Sequence, residues 1–391
     1  MTLNHEFVTL PLRRDVLRGG VMAALGAALG LERVWGSAVE PGQSGDAGKL
    51  AGLVRFRDEE EGPAGVLIGS ELDGRLLTDL SRVSATRLVT PANEFYVRSA
   101  ASRLLPAAAG WKIAIDGLVE RPAGVGIEQL RKAAKPMGMH LMECAGNVAL
   151  TRFGLMSAGN WAGVPVMDVL GEAKRTAEAA LAEIAGFDEY AEPSRTSIPG
   201  ASWIFPLEEL KGAFLATELN GQPLGRDHGA PVRLMVPGWY GAACIKWVNR
   251  ITLADGGAEA SSQMQEYAVR TLQEGRPTLV RDFQPARVDH AALPVRVEKW
   301  ITGGKVRYRV VGIAWGGSEA ARGLEIRFHP EEAFVPVAGF RPGKTDAWTV
   351  WSQPWSPGAP GDYTIRLACP GVRARKLEMG LYDRSVHISE I

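Results

Sequence analysis

The sequence predicts an α+β protein, with a mixed α/β region over residues 51–256 followed by an all-β sandwich over residues 257–391. Three observations carry this expectation. At 391 residues the chain is too long for one ordinary hydrophobic core, so two folded regions are expected. Before about residue 256, short strand-like and helix-like stretches are interleaved. Beyond it, stretches at 294–300, 306–315, 324–329, 347–353 and 362–368 are separated by turn residues at the spacing of a sandwich.

In the first region, residues 111–117 alternate apolar and polar like a strand that ends in a turn. Residues 127–134 read as a short helix. Residues 166–185, rich in alanine, leucine and charge, also read as helix. Residues 231–238 form a strand pattern bounded by proline and glycine, and 245–253 form another. In the second region Trp348 and Trp351 belong to a stripe that alternates by two, which assigns them to sandwich packing.

The first 50 residues read differently. Arg13 and Arg14 precede an apolar stretch from Gly19 to Leu31, and Gly36-Ser37-Ala38 offers small residues for cleavage. This is the pattern of a twin-arginine export signal over residues 1–38, with 39–50 as a linker, and it predicts a periplasmic protein that uses the twin-arginine machinery. The apolar stretch is about 13 residues, short of the ~20 that span a bilayer, so no membrane span is expected in the mature chain.

Composition excludes several classes. Lysine plus arginine equal aspartate plus glutamate at 44 each, which argues against a nucleic-acid surface or a polybasic membrane patch. Cys144, Cys244 and Cys369 are odd in number and far apart, so they are no disulfide framework. Cys-x-x-Cys-His is absent, which excludes a c-type haem carried by this sequence. The six histidines lack metal-ligand spacing.

The segment Glu143-Cys144-Ala145-Gly146-Asn147 is the most informative in the chain. Its cysteine follows an apolar run and enters a small-residue turn, so the thiol is either a buried filler or a soft ligand offered at a strand end. His228 and Arg233 lie five apart on a turn that leads into a strand. They could grip a phosphate or a pterin-like heterocycle, or form an ordinary surface ion pair. Lys246 is expected beside Trp247 on a strand, and Arg98 ends the aromatic strand that contains Tyr96 and Val97. Cys244 reads as core, and Cys369 as structural or free.

Taken in order, these segments resemble the sulfite oxidase family of molybdopterin-dependent oxidoreductases, which includes bacterial sulfite dehydrogenases. The resemblance rests on the Asn93-Glu94-aromatic strand ending in Arg98, the Cys144 loop, Trp161-Ala162-Gly163-Val164-Pro165 and Ser197-Ile198-Pro199. It continues through Asn220-Gly221-Gln222-Pro223-Leu224 to His228 and Arg233, then Pro237-Gly238, Lys246-Trp247, and residues 312–317. It implies a molybdopterin-binding first domain and an immunoglobulin-like second domain of a kind that often mediates dimers, so a homodimer is an expectation.

The resemblance also implies one molybdenum in a pterin cofactor, with Cys144 as the protein ligand. Tyr96, Val97, Arg98, Asp188, His228, Arg233, Ile245, Lys246 and Trp247 would contact the cofactor. Arg98 would face the substrate anion, and Tyr267 would be the active-site tyrosine, with Tyr240 as its competitor. The implied reaction moves an oxygen atom to or from a small sulfur compound. Sulfite oxidation, with electrons passing to a separate c-type cytochrome, is the first expectation. A sulfoxide or other oxo-compound reductase and a metal-free exported binding protein are the alternatives. Two departures bear on the substrate. Val148 and Ala149 stand where sulfite-oxidising relatives carry basic residues, which leaves Arg98 with Arg152 or Lys344, and the usual arginine of the second domain is replaced near Lys344 or Thr345.

Overall fold

Burial alternates along some strands, such as Lys112–Gly117 and Arg384–Ile388, and is nearly continuous along others, such as Phe214–Leu219, and four sheets close over one continuous apolar core. The computed structural model describes residues 48–59, 65–343 and 347–391. The expected export signal, most of the linker, Lys344 and Thr345 lie outside those residues.

Two sheets build the first region. One is antiparallel, in the order Arg233–Met235, Phe214–Leu219, Met156–Pro165, Lys135–Glu143, with Gln222–Pro223 paired to Phe214–Leu219. The other runs Ala123–Gly126, Lys112–Gly117, Val248–Ala254, Leu181–Gly186, Ser202–Pro206. Its single parallel pairing is Lys112–Gly117 with Val248–Ala254. The helix Ile127–Ala133 buries Ile127 and Leu130, matching the sequence expectation.

Two four-stranded sheets build the second region. They run Lys49–Val54, Ala291–Thr302, Lys305–Trp315, Thr349–Trp355 and Val335–Pro336, Glu325–Arg327, Gly361–Ala368, Arg384–Ile388. Aromatic rings bridge them. Phe328 stacks on Trp355 at 4.5 Å, and Tyr363 meets the same indole edge-on at 5.0 Å. Trp348 and Trp351 are both buried, in keeping with a packing role.

Three expectations need correction. The segment 166–185 is not one helix. The helix covers only Val166–Gly171, and Leu181–Gly186 is a strand between two antiparallel neighbours that buries Leu181, Ala182 and Ile184. Pairing on both edges outweighs the weak helical preference of alanine and leucine. The second correction concerns Ile245, Lys246 and Trp247. They precede the strand Val248–Ala254, in a turn where Trp247 takes φ 54°. The third concerns the linker. Residues 49–54, expected to end the linker and begin the first domain, pair instead with Ala291–Thr302. Without them one edge of Ala291–Thr302 would lack partners for its backbone groups.

These arrangements bring several chain ends to one place. Cys144 follows the strand Lys135–Glu143, and Asp188 follows Leu181–Gly186. Residues 245–247 lead into the strand that pairs antiparallel with Leu181–Gly186, so they arrive at the same edge.

Candidate active site

The loop at Cys144 is built residue by residue. Cys144 N–H donates to Leu155 O at 2.9 Å, and Asn147 N–H closes the turn on Cys144 O at 2.9 Å. Asn147 Oδ1 accepts from Leu155 N–H at 3.1 Å. Glu143 is fully buried. Its carboxyl accepts from Trp315 Nε1 at 2.8 Å and Tyr382 Oη at 3.0 Å, which ties the loop to the second region and to the chain's C-terminal segment. Gly146 N–H points at the Cys144 sulfur at 3.4 Å. Burial pushes the thiol up, while that N–H and the charges of Arg98 and Arg270 pull the other way.

The thiol lines a cavity of about 120 Å³ that opens to solvent. Tyr96, Val97, Arg98, Asp188, Arg233, Ile245, Lys246, Trp247 and Tyr267 line the same cavity. Among the expected site residues only His228 does not. Its Nε2 lies 2.9 Å from Phe95 O, and its carbonyl accepts from Arg233 Nη1 at 3.0 Å, so it orients Arg233 rather than reaching inward. The two candidate tyrosines also separate. Tyr267 stands in the wall, whereas Tyr240 packs under Lys376 and against the Asp289 backbone. Arg152 borders a different cavity, with Arg296 and Arg384. All three cysteines are free and buried, and Cys244 also touches the Cys144 cavity.

The cations in the wall are held in place. Arg233 is 5% exposed and donates to Cys244 O at 3.0 Å, yet its Nε is a buried donor without a partner. Lys246 Nζ donates to Ser99 O and Asp227 O and sits 4.3 Å above the Trp247 ring. Burial, then the charge of Arg233, pushes Lys246 down to about 7. Arg98 Nη2 donates to Ser197 Oγ at 2.8 Å. Asp188 Oδ1 is a buried acceptor without a partner, and burial pushes its carboxyl up. Tyr96 is pushed well up, and Tyr267 up to about 12, by burial first and the neighbouring Cys144 second. Both phenols therefore stay protonated and can donate. Gly241 is needed beside Tyr96, because a Cβ there would lie 2.5 Å from Oη.

Of the segment 188–200 beside this cavity, sequence reasoning named Asp188 and Ser197-Ile198-Pro199 but missed Tyr190, Gly200 and what ties the segment down. Tyr190, Ser197, Ile198 and Gly200 line the cavity, and the segment is tied down by two carboxyl groups. Glu71 accepts from the N–H groups of Ala191 at 3.0 Å and Glu192 at 3.2 Å. Asp73 accepts from Ser194 Oγ at 2.8 Å, Arg195 N–H at 3.2 Å and Thr196 Oγ1 at 2.7 Å. Neither carboxyl is near the segment in sequence, so no local pattern could have revealed the tie. Arg270 was also missed. Its spacing of three from Tyr267 on a helical turn was the available signal.

A pterin cofactor that carries a phosphate and a dithiolene-bound metal fits these residues. Arg233 Nε and Asp188 Oδ1 are the unpaired donor and acceptor that a heterocycle edge would satisfy. Lys246 supplies charge for a phosphate, and Cys144 is the soft ligand.

The fold and this site suit an oxidoreductase domain of the molybdopterin-binding kind. Residues 102–261 match the family described as the oxidoreductase molybdopterin binding domain. Human mitochondrial sulfite oxidase is 30% identical over 234 residues, covering 56% of this chain and 42% of that protein. The nitrate reductase [NADPH] of Mycosarcoma maydis is 29% identical over 207 residues, covering 45% of this chain and 21% of that protein. The chain thus spans less than half the length of these curated relatives. The sulfane dehydrogenase SoxCD from Paracoccus pantotrophus shares the fold, with a TM-score of 0.60 at 19% identity over 77% of this chain and 76% of that one. The family match and the curated relatives support placing the chain with the sulfite oxidase family of molybdopterin oxidoreductases.

Proposed function

We propose that the chain is an exported, periplasmic molybdenum enzyme that transfers an oxygen atom to or from a small sulfur compound, with sulfite oxidation to sulfate as the first reading. The observation that carries it is one cavity wall holding the Cys144 thiol, the protonated Tyr267 phenol and the Arg98 guanidinium together. Arg13-Arg14 and the apolar stretch that follows support export. A separate c-type cytochrome as electron acceptor and a homodimer formed through an immunoglobulin-like second domain belong to the same proposal.

The cofactor, when bound, supplies a metal able to take or give two electrons together with an oxygen atom. The chain supplies the rest. Cys144 gives up its proton on ligation, because only the thiolate binds a metal well. Lys246 would hold the anionic part of the cofactor, and Arg233 and Asp188 would pair with the donor and acceptor edge of its heterocycle. Arg98 grips the substrate anion, Tyr267 donates a hydrogen bond toward it, and the 188–200 segment keeps bulk water out.

The test is metal analysis of protein made in a cofactor-competent host, joined to turnover with sulfite and ferricyanide or cytochrome c. About one molybdenum per chain is expected, and Cys144→Ser should abolish turnover while leaving a folded protein, because a hydroxyl is a poor soft ligand. Molybdenum below about a tenth of an equivalent would favour a metal-free binding protein instead, since ligation should be tight. The neutral side chains at Val148 and Ala149 favour the sulfoxide-reductase reading as the second choice. Turnover of a sulfoxide with a reduced dye, and none with sulfite, would make it the first.

A further inference from the structure

The geometry points to Arg270 as a second substrate-gripping cation, which forms with Arg98 a two-guanidinium clamp for a small oxyanion beside Cys144. This rests on the oxygen-transfer reading above and adds to it a second residue that selects the substrate by its charge.

The helix Ser262–Tyr267 sets Tyr267 into the cavity wall, and the turn that follows carries Arg270 back over the phenol, its guanidinium carbon 5.2 Å from the ring centroid. The same guanidinium reaches the cysteine loop. A Cβ built on Gly146 would lie 3.9 Å from the Cys144 sulfur and 4.0 Å from Arg270 Nη1. Gly146 therefore leaves open the space between thiol and guanidinium that any side chain would fill. Arg98 lines the cavity, and the charges of Arg98 and Arg270 both bear on Cys144 and on Tyr267.

Arg270 is exposed, and among the described residues no carboxyl group pairs with it. A guanidinium without an acid partner, held over the ring of Tyr267, which lines the cavity, keeps its planar donor fork for an incoming anion. A small dianion needs several such donors, because its desolvation costs more than one pair returns. The residues directly after the cysteine loop cannot help. Val148 and Ala149 are neutral, and Leu150 is 92% exposed. The second cation enters from another stretch of chain, one helical turn beyond Tyr267.

If Arg270 only buttressed Tyr267, its loss would affect every substrate alike. A clamp makes the loss selective. The experiment compares the wild-type holoprotein with Arg270→Met and Arg270→Lys, using sulfite and a neutral sulfoxide as substrates. Sulfate binding is followed by titration calorimetry in low-salt buffer. Arg270→Met should raise KM for sulfite and Kd for sulfate about tenfold, the loss of one solvent-accessible charge-assisted pair, with kcat for sulfite and KM for the sulfoxide changed less than about twofold. Arg270→Lys should recover part of the sulfate affinity and not all, because an ammonium has no fork. Unchanged sulfate affinity in Arg270→Met, or an equal loss on both substrates, would overturn the clamp. The calorimetry decides this even where turnover is absent. Missing molybdenum in the wild type would instead count against the oxygen-transfer reading.

Discussion

Glu143 is the buried joint between the cysteine loop and the rest of the molecule, and replacing it with methionine isolates that role. The side chains are of similar length, so little volume changes. What disappears is the acceptor for two close donors, Trp315 Nε1 at 2.8 Å and Tyr382 Oη at 3.0 Å, and for a longer contact from Asn147 Nδ2 at 3.4 Å, all on residues less than 5% exposed. A buried donor left without a partner costs about 1–3 kcal/mol, so the two together should cost about 2–6 kcal/mol. That is a large share of the 5–15 kcal/mol that typically separates folded from unfolded protein. The assay is urea unfolding of cofactor-free protein, where stability is not linked to ligand binding. The midpoint should fall with an unchanged slope. Tyr382→Phe removes one donor and leaves Glu143 its bond to Trp315, so it should cost about 1 kcal/mol. The double variant should cost clearly less than the sum, because the two residues share a bond. A change below about 0.5 kcal/mol in Glu143→Met, or strict additivity, would refute the reasoning.

The other predictions follow from the cavity and its cover. Arg98→Met should raise KM for an anionic substrate much more than for a neutral one in steady-state assays, and equal effects would confine Arg98 to supporting the cofactor. Lys246 is pushed down to about 7, so between that pH and its ordinary value the unfolded chain holds a proton that the folded one has lost. Stability of the cofactor-free protein should therefore rise as pH climbs from about 7 toward 10, and Lys246→Met should flatten that rise in thermal-unfolding scans. Combining Glu71→Gln with Asp73→Asn should free the 188–200 segment, making exposed Arg195 a tryptic site that wild-type protein protects. Burial raises Glu71, but the N–H groups of Arg103 and Glu192 outweigh it, and Thr196 and Ser194 lower Asp73. The tie is thus complete above the usual carboxyl range and lost as pH falls below it, so wild-type protein should become cleavable only in acid, read with an acid-active protease.

Local chemistry made much of this protein legible in its sequence. The thiol at a strand end, the arginine after an aromatic stretch and the Lys-Trp pair are each short-range patterns, and ten of the residues that these patterns and the family resemblance suggested meet in one cavity, although the Lys-Trp pair lies just before its strand rather than on it. The strands of the second region were legible for the same reason, since alternation with period two is visible within a few residues. Leu181–Gly186 was not, because its alanines and leucine favour helix and only its two neighbouring strands make it a strand. Lys49–Val54 could not be placed either, as its partner lies more than two hundred residues away.

The sequence by itself determined which chemical groups this protein can offer: a soft sulfur, a set of guanidiniums and an ammonium, and phenols with their protons. The tertiary structure alone decided which of them face one another. It turned His228 toward Phe95, chose Tyr267 over Tyr240 for the wall, and set Arg270 across Gly146 from the sulfur. The physical reason is range. Propensity and ligand softness are properties of a residue and its near neighbours, whereas the direction of a side chain is set by packing between segments that only the folded chain brings together.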